Sequence, residues 1–332
     1  MTEHSVSKAR GVRPRTLLFG IAAILVVAAA VVAIVLLTPR GGVELAGFSA
    51  ESTATVGYAG RFPADDEPRL LNPLGIAVRG TTLYVAESDA GRIRIFGLRG
   101  EDRGSIVVPI RQGAPTAYPS DVATLGADRI VVVDNSGAQV LVMSADPKAK
   151  TPLVAVLGDA DGSNSPIQPT AVAVDGETIF VADSGDSTVK AYSADGAYLR
   201  TVVKGSGDAS TFAGGLFVAD GKIYTTNSNT GRVLAFDIDS GALAATFPDT
   251  FALPRGLGSG LGGGLLVADT FERTVRLTDL SGRRIDVIDG NTTDDGELGS
   301  PRDSAWVPSA SRAYVTDAQS GRVVVFNMRE AD

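Results

Sequence analysis

The sequence predicts an all-β fold, a six-bladed β-propeller of four-stranded blades, preceded by a single transmembrane helix. A pattern of two strand-forming runs around an acidic residue occurs six times. A strand that the last repeat lacks occurs before the first repeat. An uncharged apolar stretch long enough to cross a bilayer precedes all of them. Together these observations place a membrane anchor in front of a closed ring of sheets.

The apolar stretch Leu17–Leu37 contains 21 residues and no charge. As an α-helix it would be about 31 Å long, which matches the roughly 30 Å hydrocarbon core of a bilayer. The apolar region of a cleavable signal peptide has only about 7–15 residues. The following Thr38-Pro39-Arg40 is also a poor cleavage site, because such sites need small residues. The stretch therefore predicts a retained membrane anchor.

Charges on the two sides of this stretch predict its orientation. Four basic residues precede it and one follows directly, which favours a cytoplasmic amino terminus. The predicted organisation is a cytoplasmic tail at 1–15, a transmembrane helix at 16–38, a linker at 39–51 and a propeller at 52–330. The chain is thus predicted to be a single-pass cell-membrane protein with an extracytoplasmic propeller.

Each repeat contains an apolar run, an acidic residue or Asn, and a second strand-forming run. A branched apolar residue always follows the acidic or amide residue six positions later. Successive repeats are 42 to 49 residues apart, which is the length of a four-stranded propeller blade. The acidic or amide residues are Glu87, Asp134, Asp183, Asn227, Asp269 and Asp317.

Within each repeat the strands follow in the order A, B, C and D. A proline or its replacement opens strand A, which suits a position that needs no ladder donor. In the first repeat the predicted strands are Gly75–Val78, Leu83–Ala86, Arg92–Phe96 and Ser105–Val108. The strand openers are Pro73, Pro119, Pro169, Ala213, Pro254 and Pro301.

The last repeat has no strand D, because the chain ends shortly after its C strand, Val323–Phe326. A strand-forming segment at 53–58 stands before the first proline instead. A ring must leave no open sheet edge, since unpaired edges promote aggregation. The sequence therefore predicts that residues 53–58 pair with the final blade and close the ring.

The repeat resembles the NHL repeat of six-bladed propellers. The resemblance lies in the pattern Pro-x-Gly-Ile-Ala-Val, Leu-Tyr-Val-Ala-Glu/Asp and Gly-Arg-Ile-x-x-Phe, clearest at Leu71–Phe96, Gln168–Tyr192 and Gly299–Phe326. Blade 4 departs from it at Asn227, and blade 5 in its glycine-rich segment Gly256–Gly264. The resemblance implies a propeller that binds proteins, peptides or small ligands, without a single activity. With Arg outnumbering Lys 24 to 6, the composition is typical of a bacterial member with GC-rich genes.

Residue content excludes several kinds of site. The chain has no Cys, and its one His is His4 in the amino-terminal tail. Thiolate zinc sites, cysteine nucleophiles, Ser-His-Asp triads and His-ligated zinc are therefore excluded from the propeller. The first fifteen residues carry a net charge of +3, whereas the chain from Gly41 onward carries −12. Because such a surface repels phosphate backbones, nucleic acid is not expected as a partner.

Two groups of acidic residues have a structural and a functional interpretation. The acids that end the B strands either ring a cation or accept backbone N–H groups in their own turns, and their repetition in every blade favours the second interpretation. The segment 159–164 resembles the start of a calcium loop, with Asp159 and Asp161 as weak metal candidates. It lacks the closing bidentate Glu, so a solvated acidic turn is favoured and no cofactor is predicted.

The predicted ligand site lies at the mouth of the central channel, just after the strand-opening prolines. Small residues occupy most of these positions, and charge is confined to four of them. Such departures from the repeat indicate a site, because packing does not require them. The alternative is that Arg255 and Asp303 neutralise each other across adjacent blades. The candidate ligand-binding residues are Asp121, Arg255, Arg302 and Asp303.

Two functions fit these features. The first is a membrane-tethered extracytoplasmic binding or scaffolding module for a protein, peptide or cell-envelope ligand, favoured because catalytic residue types are missing. The second is a divalent-metal-dependent propeller enzyme of the lactonase or lyase type, with its site at the channel mouth. That chemistry needs three or four converging oxygen ligands, and only Asp121 and Asp303 are candidates.

Overall fold

The computed structural model describes residues 54–159, 162–205, 213–289 and 297–331. Within those ranges no helical segment has the length and apolar character that a bilayer span requires. The predicted tail, transmembrane helix and linker lie outside the described residues. The described residues form an all-β six-bladed propeller with four-stranded blades.

The first three blades follow each other along the chain, each with its strands in the order A to D. Blade 1 consists of β2 (Pro73–Arg79), β3 (Thr82–Glu87), β4 (Arg92–Gly97) and β5 (Asp102–Val107). Blade 2 consists of β6 (Pro119–Leu125), β7 (Arg129–Asp134), β8 (Gln139–Ser144) and β9 (Leu153–Val156). Blade 3 consists of β10 (Pro169–Asp175), β11 (Thr178–Asp183), β12 (Thr188–Ser193) and β13 (Tyr198–Lys204).

The remaining blades continue this order, and the last one borrows its outer strand from the start of the propeller. Blade 4 consists of β14 (Ala213–Ala219), β15 (Lys222–Asn227), β16 (Arg232–Asp237) and β17 (Leu243–Thr246). Blade 5 consists of β18 (Pro254–Ser259), β19 (Leu265–Asp269), β20 (Thr274–Thr278) and β21 (Arg284–Asp289). Blade 6 consists of β22 (Pro301–Val307), β23 (Arg312–Asp317), β24 (Arg322–Glu330) and β1 (Ala54–Phe62). Short 3₁₀ turns lie at Ser88–Ala90, Leu261–Gly263 and Pro308–Ala310.

The ring closes as predicted, with β1 antiparallel to β24. Pairing runs from Ala54 opposite Glu330 to Phe62 opposite Val323, so the strand is longer than the predicted 53–58. The ladder shifts register between Tyr58 and Gly60, and a bulge there lets the strand continue. The Phe62 ring then packs on Phe96 of blade 1, with centroids 5.0 Å apart, which explains why the strand extends beyond Tyr58.

The hydrophobic core lies between neighbouring blades, because alternate side chains of each strand point to opposite faces of its sheet. The B and C strands are almost entirely buried runs of Val, Ile, Leu, Ala and aromatic residues. One cluster joins blades 1 and 2 through Ile93 and Ile130, and another joins blades 6 and 1 through Tyr314 and Leu83. Each blade thus shares its core with both neighbours, and the inner A strands are held around the central channel.

Candidate ligand site at the channel mouth

In the five blades whose B strand ends in an acidic residue, that residue holds the segment that leads into strand A. Asp183, fully buried, accepts the backbone N–H groups of Ile167 at 2.7 Å and of Gln168 at 2.8 Å. The structural interpretation of these acids is confirmed, but the main donors precede strand A, whereas the sequence placed them in the B–C turn. The equivalent pairs are Glu87 with Leu71, Asp134 with Tyr118, Asp269 with Ala252 and Leu253, and Asp317 with Gly299 and Ser300.

Partners on strand C use the remaining acceptor capacity of several of these acids. Lys190 Nζ lies 2.8 Å from Asp183 Oδ2, and Arg92 Nε lies 2.6 Å from Glu87 Oε2. Burial opposes ionisation of Asp183, but the Lys190 hydrogen bond and the backbone N–H groups outweigh it and lower the pKa of this carboxyl. These carboxylates therefore stabilise the blades and are not offered to a ligand.

In blades 1, 2, 4 and 5 the residue after the acid or amide that ends strand B ties its blade to the next one, a role that the sequence analysis missed. The Ser88 hydroxyl donates to the Pro119 carbonyl at 2.6 Å, and the Thr270 hydroxyl donates to the Pro301 carbonyl at 2.7 Å. Asn135 with Pro169 and Ser228 with Pro254 make the same contact. The recurring Ser, Thr or Asn at this position was the available signal. These bonds fix the prolines around the channel.

A bulge directly after the strand opener turns the predicted ligand-binding positions into the channel mouth. In blade 6 the ladder pairs Pro301 with Asp317 and resumes only at Asp303, so Arg302 is left out of register. The register shifts at the same place in the other blades, at Pro73, Pro119, Pro169, Ala213 and Pro254. Bulges of this kind re-aim side chains at functional sites.

The mouth opens into a cavity of about 390 Å³ along the channel. The four predicted ligand-binding residues all line it, and they are the charged residues of its lining. The uncharged lining is contributed by all six A strands and includes the polar groups of Tyr118, Ser120 and Thr170. The structure therefore brings together every residue that the sequence selected at the mouth: Asp121, Arg255, Arg302 and Asp303.

The two aspartates join adjacent A strands. Asp121 accepts the backbone N–H of Val122 and, across the blade boundary, that of Val172, both at 2.8 Å. Asp303 accepts the N–H of Ser304 at 2.8 Å and that of Ile76 in blade 1 at 2.9 Å. Both oxygens of each carboxylate are thus engaged with backbone groups.

Burial makes these carboxylates hard to ionise. It raises the pKa of Asp121 to about 7, against the opposing effect of the Val172 and Val122 N–H groups. Burial also raises the pKa of Asp303 well above its ordinary value, and the nearby Asp121 carboxylate adds to the effect. Asp121 is therefore only partly ionised near neutral pH, and the pKa of Asp303 is shifted in the same direction.

The two arginines lie on adjacent blades and have no acidic partner in the described part of the chain. Burial lowers the pKa of Arg255, and burial together with the positive charge of Arg255 lowers the pKa of Arg302. No ion pair joins Arg255 to Asp303 among the described residues, so the alternative of mutual neutralisation is wrong. A guanidinium stays protonated despite such shifts, and the mouth carries two neighbouring positive charges.

Asp159, one of the two weak metal candidates, is not among the residues that line this cavity. Asp159 is exposed, and its Oδ2 accepts hydrogen bonds from Ser163 at 3.1 Å and Asn164 at 2.7 Å. Asp161 lies outside the described residues. Within the described ranges no three Asp, Glu or His side chains come together as a metal-binding group.

Comparison with known proteins shows the fold. No protein-family model matches the chain, and no curated protein matches it. It is similar to a structural genomics protein of unknown function from Bacteroides thetaiotaomicron (TM-score 0.64, 14% identity, 83% of this chain and 72% of that chain). It is also similar to a streptogramin B lyase, with a TM-score of 0.58 and 13% identity over 84% of this chain and 100% of that chain. A third similar structure is virginiamycin B lyase from Staphylococcus aureus, with a TM-score of 0.54 and 12% identity over 80% of this chain and 82% of that chain. At these identities the likeness concerns the shared fold, and no activity follows from it.

Proposed function

We propose that the protein is a membrane-tethered, extracytoplasmic propeller of the NHL type that binds a protein, peptide or cell-envelope ligand at its channel mouth. The single observation that carries this proposal is the cavity in which four charged departures from the repeat meet. The acids of the repeat are used to hold the blades, whereas the arginines of the mouth serve no such contact. Polar groups that the fold does not need are the usual mark of a binding site.

The charge of the propeller indicates the chemistry of the partner. The segments between strand D and the next strand A hold ten acidic residues in the sequence. The described ones form an acidic rim at the end of the blades where the A strands begin, which is the face of the mouth: Asp65, Asp66, Glu67, Asp159, Asp249 and Glu297. A partner surface that is neutral or basic complements this rim, and a nucleic acid does not. Binding of this kind needs no cofactor.

An enzyme of the metal-dependent lactonase or lyase type is the second candidate. Two carboxylates with raised pKa values in one channel favour it, because such groups suit general acid or base chemistry near neutral pH. Two of the similar structures are lyases by name. Against it, each carboxylate already accepts two backbone hydrogen bonds, which leaves few oxygen lone pairs for a metal.

A site-specific photo-crosslinking experiment tests the binding function. A photoreactive amino acid replaces Thr170, which lines the cavity, in the full chain expressed in bacterial membranes. We expect one discrete crosslinked species, identified by mass spectrometry, after irradiation of intact cells. The control places the same amino acid at Ala127, in the exposed turn between β6 and β7 at the opposite end of the blade.

The outcome separates the two candidates. A species that forms from position 170 and not from position 127 supports binding at the mouth. Equal crosslinking from both positions, or none from position 170, contradicts it. A stoichiometric divalent ion in the purified full chain, lost when Asp121 and Asp303 are both replaced by Asn, would favour the enzyme instead.

A further inference from the structure

Arg255 and Arg302 form an uncompensated pair of positive charges inside a strongly acidic domain. They follow the strand-opening prolines of adjacent blades and line the same cavity. Burial in the channel lowers the pKa of both guanidinium groups, and the positive charge of Arg255 lowers the pKa of Arg302 further. Two like charges held close together and half-buried cost free energy unless something offsets them.

The carboxylates of the cavity do not offset these charges. Asp121 and Asp303 point their oxygens at backbone N–H groups of their own and the next blade. Among the described residues, the acids that end the B strands contact Lys190, Arg92 or backbone N–H groups. The arginine pair is therefore left for a group from outside the chain.

Two unused hydrogen-bond donors belong to residues that line the same cavity. Arg255 Nε and Ser120 Oγ are buried and have no hydrogen-bond partner among the described residues. Arg302 lies close enough to the Tyr118 ring for the phenol to affect its titration. A native fold rarely leaves buried donors unsatisfied, so such donors in a cavity indicate a missing acceptor.

A glycine of the preceding blade, Gly214, lies against the Arg255 side chain. A Cβ on Gly214 would lie 3.2 Å from both the Cα and the Cδ of Arg255, so the arginine stem rests on the bare backbone of blade 4. The blade 4 opener is also the one where the repeat loses its proline. Ala213 and Gly214 thus lie on the blade that adjoins Arg255.

We propose that Arg255 and Arg302, with Ser120, bind an oxyanion: the carboxylate or phosphate group of the ligand that enters the channel mouth. This deepens the proposed binding function and rests on it. Guanidinium groups suit this task, because their N–H donors match the spacing of carboxylate and phosphate oxygens. The acidic rim around a basic centre then selects a ligand whose anionic group is small and whose remainder is neutral or cationic.

Anion-dependent thermal stability tests this site in the purified full chain. The melting temperature is measured in chloride buffer and then with inorganic phosphate or succinate added at constant ionic strength. We expect a saturable rise of several degrees with one or both anions, because a ligand that binds only the folded state stabilises it. The relative response to phosphate and succinate distinguishes the two sources of the oxyanion.

Variants of the arginines provide the specific readout. Arg255→Gln and Arg302→Gln are each expected to weaken the apparent anion affinity at least tenfold. In chloride alone, Arg302→Gln is expected to melt at the same or a higher temperature than the unmodified chain, because it removes a like charge. The matched control is Arg283→Gln, an exposed arginine paired with Asp279, which should keep the full anion response.

Each outcome decides a separate question. No saturable response, or a response that persists in both arginine variants, overturns the oxyanion site. A missing anion response with normal crosslinking from position 170 overturns this site and leaves the proposed binding function standing. A normal, arginine-dependent anion response without any crosslink supports the site and contradicts the proposed macromolecular partner.

Discussion

The carboxylate of Asp303 joins the last blade to the first, because its Oδ2 accepts the backbone N–H of Ile76 at 2.9 Å. Its Oδ1 accepts the N–H of Ser304 on the same strand. Asp121 makes the same bridge from blade 2 to Val172 of blade 3. Two of the four ionisable residues selected at the channel mouth therefore hold the ring together, whereas the two arginines have no acidic partner among the described residues.

The channel aspartates Asp121 and Asp303 should make the propeller less stable as the pH rises from about 4 to about 7. Burial raises the pKa of Asp121 to about 7 from an unfolded value near 3.9, so over this range the folded state binds more protons than the unfolded state. Stability is then lost with rising pH, and Asp303 acts in the same direction. Urea unfolding at several pH values should show that the free energy of unfolding depends less steeply on pH in Asp121→Asn than in the unmodified chain.

A surface aspartate with the opposite shift provides the control for this pH dependence. The Ser193 hydroxyl lowers the pKa of Asp195, so this group contributes stability that is lost only below about pH 4. Asp195→Asn should leave the slope of the free energy of unfolding against pH unchanged between pH 4 and 7. A slope that is the same in Asp121→Asn and in the unmodified chain would contradict the assignment to Asp121.

The tie between blades 5 and 6 should be measurable by replacing Thr270 with Val. The Thr270 hydroxyl donates to the buried Pro301 carbonyl at 2.7 Å, and Val removes the donor while keeping the shape. The free energy of unfolding should fall by about 1–3 kcal/mol, since the carbonyl loses its partner. Chemical unfolding measures the change.

Thr278 is the matched control for Thr270, because it is buried on a neighbouring strand and its Oγ1 has no hydrogen-bond partner in the described part of the chain. Thr278→Val should be neutral or stabilising, since burying an unpaired hydroxyl costs free energy. Equal losses in the two variants would show that the Thr270 hydrogen bond contributes nothing specific.

Gly256 should tolerate no side chain, because the next blade lies against it. A Cβ there would be 2.5 Å from the Cα of Asp303 and 2.6 Å from the carbonyl oxygen of Arg302. Gly256→Ala should therefore force the A strands of blades 5 and 6 apart and cost about 1–3 kcal/mol or more. The thermal unfolding midpoint reports the loss.

Gly57 on the closing strand is the control for Gly256. A Cβ there has no neighbour within 4 Å, and the residue has no left-handed backbone conformation. Gly57→Ala should leave stability unchanged or raise it by a few tenths of a kcal/mol, because alanine restricts the unfolded chain. A similar destabilisation by both substitutions would contradict the close approach at the channel.

Ring closure should depend on Phe62, the last residue of β1. Its ring is buried against Phe96 and Tyr314 of the first and last blades. Phe62→Ala should lower the free energy of unfolding by about 3–5 kcal/mol and speed amide exchange in β24, which would lose its outer neighbour more often. Hydrogen exchange with mass spectrometry reads both effects.

An exposed apolar residue on an outer strand separates closure from general loss of apolar surface. Leu199 on β13 is 53% exposed, and Leu199→Ala should change stability by less than about 0.5 kcal/mol. It should also leave exchange in β24 unchanged. Unchanged exchange in Phe62→Ala would mean that the closing strand is held without this ring.

The repeat made the fold readable from the sequence. A fixed interval of six residues between the acid and the branched apolar residue marked the B–C hairpin in every blade, and it recurs in the structure without exception. The strand missing after Phe326 and present before Pro73 predicted the pairing of β1 with β24. Such local patterns are visible because each blade needs the same turns and the same alternating core.

The mouth residues were also readable, since Asp121, Arg255, Arg302 and Asp303 interrupt an otherwise small and uncharged set. The roles of these four residues could not be predicted from the sequence. Sequence alone could not separate the aspartates, which bond to backbone N–H groups of the next blade, from the arginines, which have no acidic partner among the described residues. That difference depends on which strands become neighbours across the ring.

Local patterning by itself determined the number of blades, their strand order and the strand that closes the ring, because period-two alternation and turn residues act within a few positions. The tertiary structure decided what the charges do. It placed Asp303 beside Ile76, 227 positions away in the chain, and it brought Arg255 and Arg302 together in the lining of one channel cavity. Burial and the identity of distant neighbours determine the free energy of a charged side chain, and neither can be predicted from the sequence of a single repeat.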